Sequence, residues 1–255
     1  MATGEGDLDD VVAREKRFWD SRDAGYERVR NLIGRSIGAF SSYGELDALV
    51  DPAGLTVLDY GCGRGADAIE LVRRGAAHVT GFDVSEAEIE HARAAAEAAG
   101  VADRTAFVVA DAHATGFPDA AFDLVRGNSV LHHLDLRPAL VELKRILRPD
   151  GRAVFVEPLA HNPLLRLGRR ITPMARTEDE HPFTTDDWET CAAVFPGFRH
   201  FERELLTVPL MPLNLVLPAR GRAALARRVK AADVRAIERM PRLRRYARLT
   251  FLILQ

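Results

Sequence analysis

The sequence predicts an α/β fold in which a mostly parallel sheet carries helices on both faces, and three observations support this. Residues 55–156 alternate between short apolar runs and segments with helical spacing, which gives five strands. Residues 57–65 place an apolar pair before a glycine-rich stretch, and residues 66–74 again have helical spacing. A strand, a glycine loop and a helix N-terminus in this order are typical of a ligand-binding turn at the first strand of such a sheet.

Elements on either side of this alternation complete the fold. Two further apolar runs, at 198–207 and 246–254, predict a sixth strand and a final strand. The connection between them is longer than a hairpin needs. A chain of 255 residues is sufficient for one α/β domain. We expect three parts within that domain: a helical cap at 1–50, a core at 51–208 and 246–255, and a helical lid insertion at 209–245.

The glycine loop by itself leaves the ligand open. Gly61, Gly63 and Ala66 satisfy the G-x-G-x-x-G/A pattern of dinucleotide-binding turns. Asp59 argues against a dinucleotide, because a carboxylate just before the loop would repel a pyrophosphate and would suit a ligand with an ammonium group and a sulfonium. Asp83 ends the next predicted strand, where a carboxylate can accept bonds from both hydroxyls of a ribose. This second acid fits either ligand.

Two later motifs extend the pattern. Asp111-Ala112 follows the third apolar run, and residues 143–152 read Leu-Lys-Arg-Ile-Leu-Arg-Pro-Asp-Gly-Arg. Together with the glycine loop and Asp83, these motifs occur in the order and at the spacing of a known family. Over residues 18–160 the chain resembles the class I S-adenosylmethionine-dependent methyltransferases of the small-molecule type, which include the ubiquinone/menaquinone methyltransferases.

The resemblance implies a Rossmann-like, seven-stranded sheet whose last strand is antiparallel beside the fifth. It implies that the loop from Asp59 to Gly63 holds the methionine moiety, that Asp83 binds the ribose, and that Asp111 meets the adenine amino group. For any single acid the alternative is an ordinary strand-end or capping residue. The cofactor-binding residues implied are Tyr26, Asp59, Tyr60, Gly61, Cys62, Gly63, Asp83, Val84, Asp111, Ala112 and Asn128.

Histidines after the fourth strand are the candidates for catalysis. His132 and His133 would lie on the rim that faces the transferred methyl group, where one of them would act as a base or orient the acceptor. The alternative is that each packs or caps the following helix. Glu157 ends the fifth strand and is a third catalytic candidate. His161, His181 and Tyr26 are candidates for substrate contact.

A metal site is an alternative to these roles. Glutamate and histidine side chains could bind a divalent ion, but no tight ligand spacing is present, so we predict none. We further expect that Glu157→Ala and His133→Ala lower turnover without weakening cofactor binding.

The predicted lid has an unusual composition. Its first part is apolar and interrupted by prolines, and eleven basic residues follow between 220 and 248. Three interpretations stay open: a lid over an apolar acceptor, a membrane-surface patch, and a solvated helix face in an arginine-biased protein. A basic lid would also suit an anionic acceptor.

Composition excludes several classes of function. The net charge of −2 provides no global basic surface for nucleic acid. Cys62 and Cys191 do not make a disulfide framework, which favours a reducing compartment. The N-terminus has no signal-peptide pattern and no run of 18 apolar residues is present, so we expect a cytoplasmic protein.

The expected function is methyl transfer from S-adenosylmethionine to oxygen or carbon of a small, mostly apolar biosynthetic intermediate, with S-adenosylhomocysteine as product. The alternatives are an RNA or protein methyltransferase and a non-catalytic S-adenosylmethionine-binding protein. The expected partner is the small-molecule acceptor, and the oligomeric state stays open between a monomer and a homodimer.

Overall fold

A computed structural model describes residues 5–21, 24–172, 177 and 179–255. Its centre is a seven-stranded sheet with the spatial order β3-β2-β1-β4-β5-β7-β6. The first five strands run parallel, and β7 lies antiparallel between β5 and β6. The predicted seven-stranded sheet with an antiparallel last strand is therefore confirmed. The strands are β1 (Thr56–Tyr60), β2 (His78–Asp83), β3 (Thr105–Val109), β4 (Phe122–Asn128), β5 (Leu147–Pro158), β6 (Arg199–Arg203) and β7 (Leu249–Leu254).

Helices connect and cover these strands. The sixth and last strands are shorter than predicted, because the chain turns at Glu204, whose φ is +72°, and forms a 3-10 helix over Pro241–Tyr246 before β7. The helices are α1 (Glu5–Asp20), α2 (Ala24–Ile37), α3 (Glu45–Ala48), α4 (Ala66–Arg73), α5 (Glu86–Ala98), α6 (Leu136–Ile146), α7 (Pro163–Ile171), α8 (Thr185–Val194) and α9 (Ala219–Arg239).

Apolar side chains on both faces of the sheet are buried. On β5, Ala153 and Phe155 belong to one core cluster, whereas Val154 and Val156 belong to another. This alternation follows from the period of two along a strand, and it places helices on both faces as predicted. Each large apolar side chain buried in this way contributes roughly 1.5–3 kcal/mol. The resulting sheet is a rigid support for the loops that follow β1, β2, β3 and β4.

The predicted lid, residues 209–245, packs mainly against the cap. A 3-10 helix over Val208–Leu215 contacts α2, and α9 contacts the short 3-10 helix Gly38–Phe40 and β6. Asp233 on α9 is buried and accepts hydrogen bonds from the backbone N–H groups of Glu204 and Leu206. The three-part division of the domain stays a prediction. No helix among the described residues has the length and apolar character needed to cross a membrane.

Candidate active site

A cavity of about 900 Å³ opens at the carboxyl ends of the parallel strands. Its floor comes from the glycine loop after β1 and from the residues that follow β2, β3 and β4. Its roof comes from α1 and α2, including Phe18, Trp19 and Tyr26. The cap therefore closes over the edge of the sheet where ligands bind in open α/β folds.

The glycine loop requires glycine for two physical reasons. Gly61 has a φ of +69°, and a Cβ atom placed on it would lie 2.5 Å from Cγ2 of Val130. Gly63 has a φ of +47° and donates its N–H to Oδ2 of Asp83 at 3.0 Å. The N–H of Cys62 donates to the carbonyl of Phe82 at 2.8 Å. The glycine loop is thus hydrogen-bonded to the end of β2 and packs against the loop after β4.

Substituting Gly61 by alanine should reveal this contact. We expect Gly61→Ala to lower the free energy of unfolding by about 3 kcal/mol, since the left-handed backbone costs roughly 1–2 kcal/mol and the clash with Val130 adds to it. Gly100→Ala is a matched control, because Gly100 has a φ of +68° with nothing within 4 Å of its Cβ position. Urea denaturation of both variants measures the difference. Equal losses would show that the contact with Val130 has no energetic role.

Asp59 and Tyr60 do not line the cavity, in contrast to the cofactor contacts expected of them. The Asp59 side chain is buried beneath the loop and accepts a hydrogen bond from the N–H of Ala68 at the start of α4. Burial, followed by the nearby charge of Asp67, raises the pKa of Asp59 to about 7, against the opposing charge of Arg126. The Tyr60 hydroxyl donates to the carbonyl of Ala112 at 3.2 Å. Both side chains support the glycine loop from the core side, because β1 directs them into the core.

The end of β2 lies on the cavity wall. Asp83 accepts the N–H of Ser85 on Oδ1 and that of Gly63 on Oδ2, each at 3.0 Å. Val84 also lines the cavity. A carboxylate held by two backbone donors has a fixed orientation at the cavity wall.

The ends of β3 and β4 complete this wall. Asp111, Ala112 and Asn128 all line the cavity. Asp111 accepts the N–H of His113 at 2.9 Å and faces its Nδ1 at 2.7 Å. Although burial opposes it, hydrogen bonding to His113 lowers the pKa of Asp111, so the carboxylate is ionised near neutral pH.

His132 is fixed from below by Glu157. Oε1 of Glu157 accepts the N–H groups of Val130 and Leu131 at 3.0 and 2.9 Å, and Oε2 lies 2.6 Å from Nδ1 of His132. Glu157 is fully buried and is not among the residues that line the cavity. Its side chain therefore does not reach the acceptor pocket, in contrast to the expectation from the sequence. It is a positioning residue for the loop after β4. Burial, assisted by the charge of His133, lowers the pKa of His132.

His133 lies on the cavity wall with a partner from the cap. Its Nδ1 is 3.4 Å from Oε2 of Glu15 and 3.2 Å from Oγ1 of Thr177. Burial alone would lower the pKa of His133, but the hydrogen bond and the charge of Glu15 outweigh burial and raise it. Trp19 donates to the same Glu15 oxygen at 2.9 Å, and its ring packs edge-on against His133 with 5.7 Å between centroids.

Glu15 was missed at the level of the sequence. It lies four residues before Trp19 on α1, a spacing that places both on one helix face. Its Oε1 is buried without a hydrogen-bond partner among the described residues, and the side chain lines the cavity. The cap is tied to the core nearby, because Arg14 forms a two-point ion pair with Asp179 at 2.8 and 2.9 Å.

Of the three residues predicted to contact the substrate, one lines the cavity and two do not. Tyr26 lines the cavity and packs edge-on against Phe18 and Trp19. His161 and His181 are not among the residues that line it, in contrast to the expectation for them. The backbone N–H of His181 donates to the carbonyl of His132 at 2.7 Å. No residue of 209–245 lines this cavity, so its function as a lid stays a prediction.

One cluster in the cavity has the side chains that a metal ion prefers. A ligand atom from each of His132, His133 and Glu180 lies within 4.8 Å of the other two. Each histidine already uses its Nδ1 toward a carboxylate, which leaves Nε2 for any further partner. The sequence-based expectation that no metal is bound stays a prediction.

Part of the chain is similar in sequence to known methyltransferases. The model of a family described as a methyltransferase domain matches residues 57–151. The 27-O-demethylrifamycin SV methyltransferase of Amycolatopsis mediterranei (strain S699) is 42% identical over 136 residues, which cover 53% of this chain and 47% of that protein. Sterol 24-C-methyltransferase ERG6B of Gibberella zeae is 38% identical over 135 residues, covering 52% and 32%. The chain thus spans about half or less of the length of these two relatives.

Solved structures support the fold. An S-adenosylmethionine-dependent methyltransferase from Mesorhizobium loti superposes with a TM-score of 0.56 at 20% identity, covering 86% of this chain and 98% of that one. These findings support the fold predicted from the sequence. With the glycine loop and the strand-end acids in place, residues 57–151 are thus similar in sequence to a methyltransferase domain.

Proposed function

We propose that this protein transfers a methyl group from S-adenosylmethionine to an oxygen or an activated carbon of a small, mostly apolar biosynthetic intermediate. The names of the two relatives described above refer to an O-demethylated rifamycin and to a sterol, and they support acceptors of this kind. The roof of the cavity also supports it, because Phe18, Trp19 and Tyr26 present aromatic rings to any ligand between the cap and the sheet.

The described residues fit the cofactor. The glycine loop leaves room for a ligand because Gly61 lacks a Cβ and both Gly61 and Gly63 adopt a positive φ, and the carboxylates at the strand ends match hydroxyl and amino donors. Asp83 would hold the ribose, Asp111 the adenine side and the backbone near Asn128 the amino end. When bound, S-adenosylmethionine supplies an activated methyl group on its sulfonium, and the protein then has to align a nucleophile with it.

The observation that carries the acceptor side of the proposal is the pair formed by His133 and Glu15. His133 lies on the cavity wall, and the Glu15 carboxylate stabilises its protonated form. This arrangement suits a histidine that accepts the proton of a hydroxyl or enol as the nucleophile attacks. Glu157 acts through His132 and the loop, by holding them in place.

Calorimetry with S-adenosylmethionine and S-adenosylhomocysteine tests the cofactor side. We expect both to bind, and we expect Asp83→Ala to weaken binding roughly a hundredfold, because the variant loses a ligand acceptor and the anchor of Gly63. Asp103→Ala, at an exposed position away from the cavity, is the control. Failure of the wild-type protein to bind either compound would refute the proposal.

A panel of phenols, carboxylic acids and prenyl or polyketide compounds with labelled cofactor tests the acceptor side. Methylation of RNA or protein in place of these compounds would favour the alternative class.

We also propose a reducing, cytoplasmic environment, which the free cysteines Cys62 and Cys191 support. The homodimer stays a prediction, which sedimentation velocity would test.

A further inference from the structure

The helix α7 exposes an apolar stripe. Leu164, Leu167 and Ile171 are 51%, 58% and 74% exposed, and no described residue of this helix is buried. Their spacing of three and four residues places them on one helix face. Arg166 and Arg170 lie beside the stripe and are also exposed. A short helix with this pattern resembles those that lie in the plane of a membrane interface.

The neighbouring segment continues this surface. The 3-10 helix Val208–Leu215 contacts α7, and it leads to Leu215 and Val216, which are 52% and 75% exposed. The same segment also contacts α2, whose residues line the mouth of the methyl-transfer cavity. The apolar side chains therefore form part of one region beside the cap, where exposed groups of this size mark an interaction site.

A second cavity in this region is basic. It measures about 470 Å³, and it is lined by Arg35, Arg222 and residues around Leu215. Arg222 donates to the carbonyl of Asn214 at 2.7 Å through Nη1, which orients its guanidinium. Two guanidinium groups in one concave site are a binding arrangement for phosphate groups.

Charge is of one sign along these segments. Residues 163–172 and 205–232 contain eight arginines and lysines and no aspartate or glutamate. An acidic protein would also meet such a surface, but the arginine-lined pocket beside exposed aliphatic side chains matches a phosphate headgroup joined to an acyl chain. Basic residues close to an anionic leaflet each add to binding.

We propose that α7 and residues 208–228 form a docking surface for an anionic membrane, in which Leu164, Leu167, Ile171 and Val216 enter the interface and the pocket of Arg35 and Arg222 binds a lipid phosphate. The surface lies outside the methyl-transfer cavity. The proposal therefore stands or falls independently of the acceptor.

Vesicle flotation with the whole chain tests the proposal. We expect binding to phosphatidylcholine vesicles that contain roughly a third phosphatidylglycerol, weak binding to pure phosphatidylcholine, and release by high salt. Leu167→Asp with Ile171→Asp, and separately Arg35→Glu with Arg222→Glu, should each reduce the bound fraction roughly tenfold or more.

Two substitutions elsewhere on the surface are matched controls. Val141 is a 56% exposed apolar residue on α6, and Arg104 is an exposed arginine before β3. Val141→Asp and Arg104→Glu should bind vesicles like the wild type, and circular dichroism should show all variants folded. Absence of flotation, or equal loss in the controls, would overturn the proposal. Binding of inorganic phosphate without vesicle binding would overturn it as well, by assigning the pocket to a soluble ligand.

Discussion

Glu157→Ala is expected to lower the free energy of unfolding by about 3–5 kcal/mol. The substitution leaves the N–H groups of Val130 and Leu131 and Nδ1 of His132 without their acceptor in a buried place, and each such loss costs roughly 1–3 kcal/mol. Urea denaturation measures this loss. Glu189→Ala removes an exposed carboxylate from α8 and should leave stability within about 0.5 kcal/mol of the wild type.

The same variant bears on cofactor binding. The loop that Glu157 holds begins at Asn128 and Ser129, both of which line the cavity, and its residue Val130 presses on Gly61. We therefore expect Glu157→Ala to weaken S-adenosylhomocysteine binding as well as turnover, contrary to the expectation from the sequence that only turnover would fall. Wild-type stability and affinity in this variant would show that the loop does not depend on Glu157.

His133→Ala is expected to lower kcat roughly a hundredfold or more with any acceptor whose hydroxyl must lose a proton, while cofactor affinity changes about twofold or less. The reason is that His133 lies on the cavity wall but makes no hydrogen bond to the glycine cradle among the described residues. His91→Ala, at an exposed position of α5, is the control. A cofactor affinity that falls as far as kcat does would show that His133 acts by binding instead.

The pH dependence of the rate tests whether Glu15 raises the pKa of His133. Glu15 from the cap, together with Glu157 and Glu180, favours the protonated form of His133, whereas burial opposes it. The net shift is upward, so the rate should rise with pH through a pKa above the usual value for histidine, as the base becomes neutral. Glu15→Gln removes the main favourable charge and should move this acid limb to lower pH, while the maximal rate falls because the base is weaker. An unchanged acid limb in Glu15→Gln would remove Glu15 from this role.

Local patterns in the sequence were sufficient to place the glycine loop and the strand-end acids at one edge of the sheet. Gly61, Gly63, Asp83 and Asp111 follow directly from strand ends and turns, since parallel strands bring their carboxyl ends to one edge whatever else the chain does. The same reasoning predicted the order of strands and helices. It was inaccurate at the bounds of β6 and β7, where the turn at Glu204 and the 3-10 helix before β7 decide where pairing begins.

The roles of side chains with partners far away in the sequence could be assigned only from the tertiary structure. Asp59 and Glu157 are acids at strand ends like Asp83, yet the direction of each strand residue buries them and gives them structural partners. Glu15 became part of the site only because α1 folds back over the sheet and brings its carboxylate next to His133.

The sequence by itself thus determined the fold class and the edge of the sheet where the glycine loop and the strand-end acids meet, because these depend on short-range periodicity and glycine geometry. Only the tertiary structure decided which carboxylates face the cavity, which carboxylate is the partner of each histidine, and that 209–245 packs against the cap beside an exposed arginine-rich surface. Those features depend on packing between segments far apart in the chain, and no local pattern encodes such contacts.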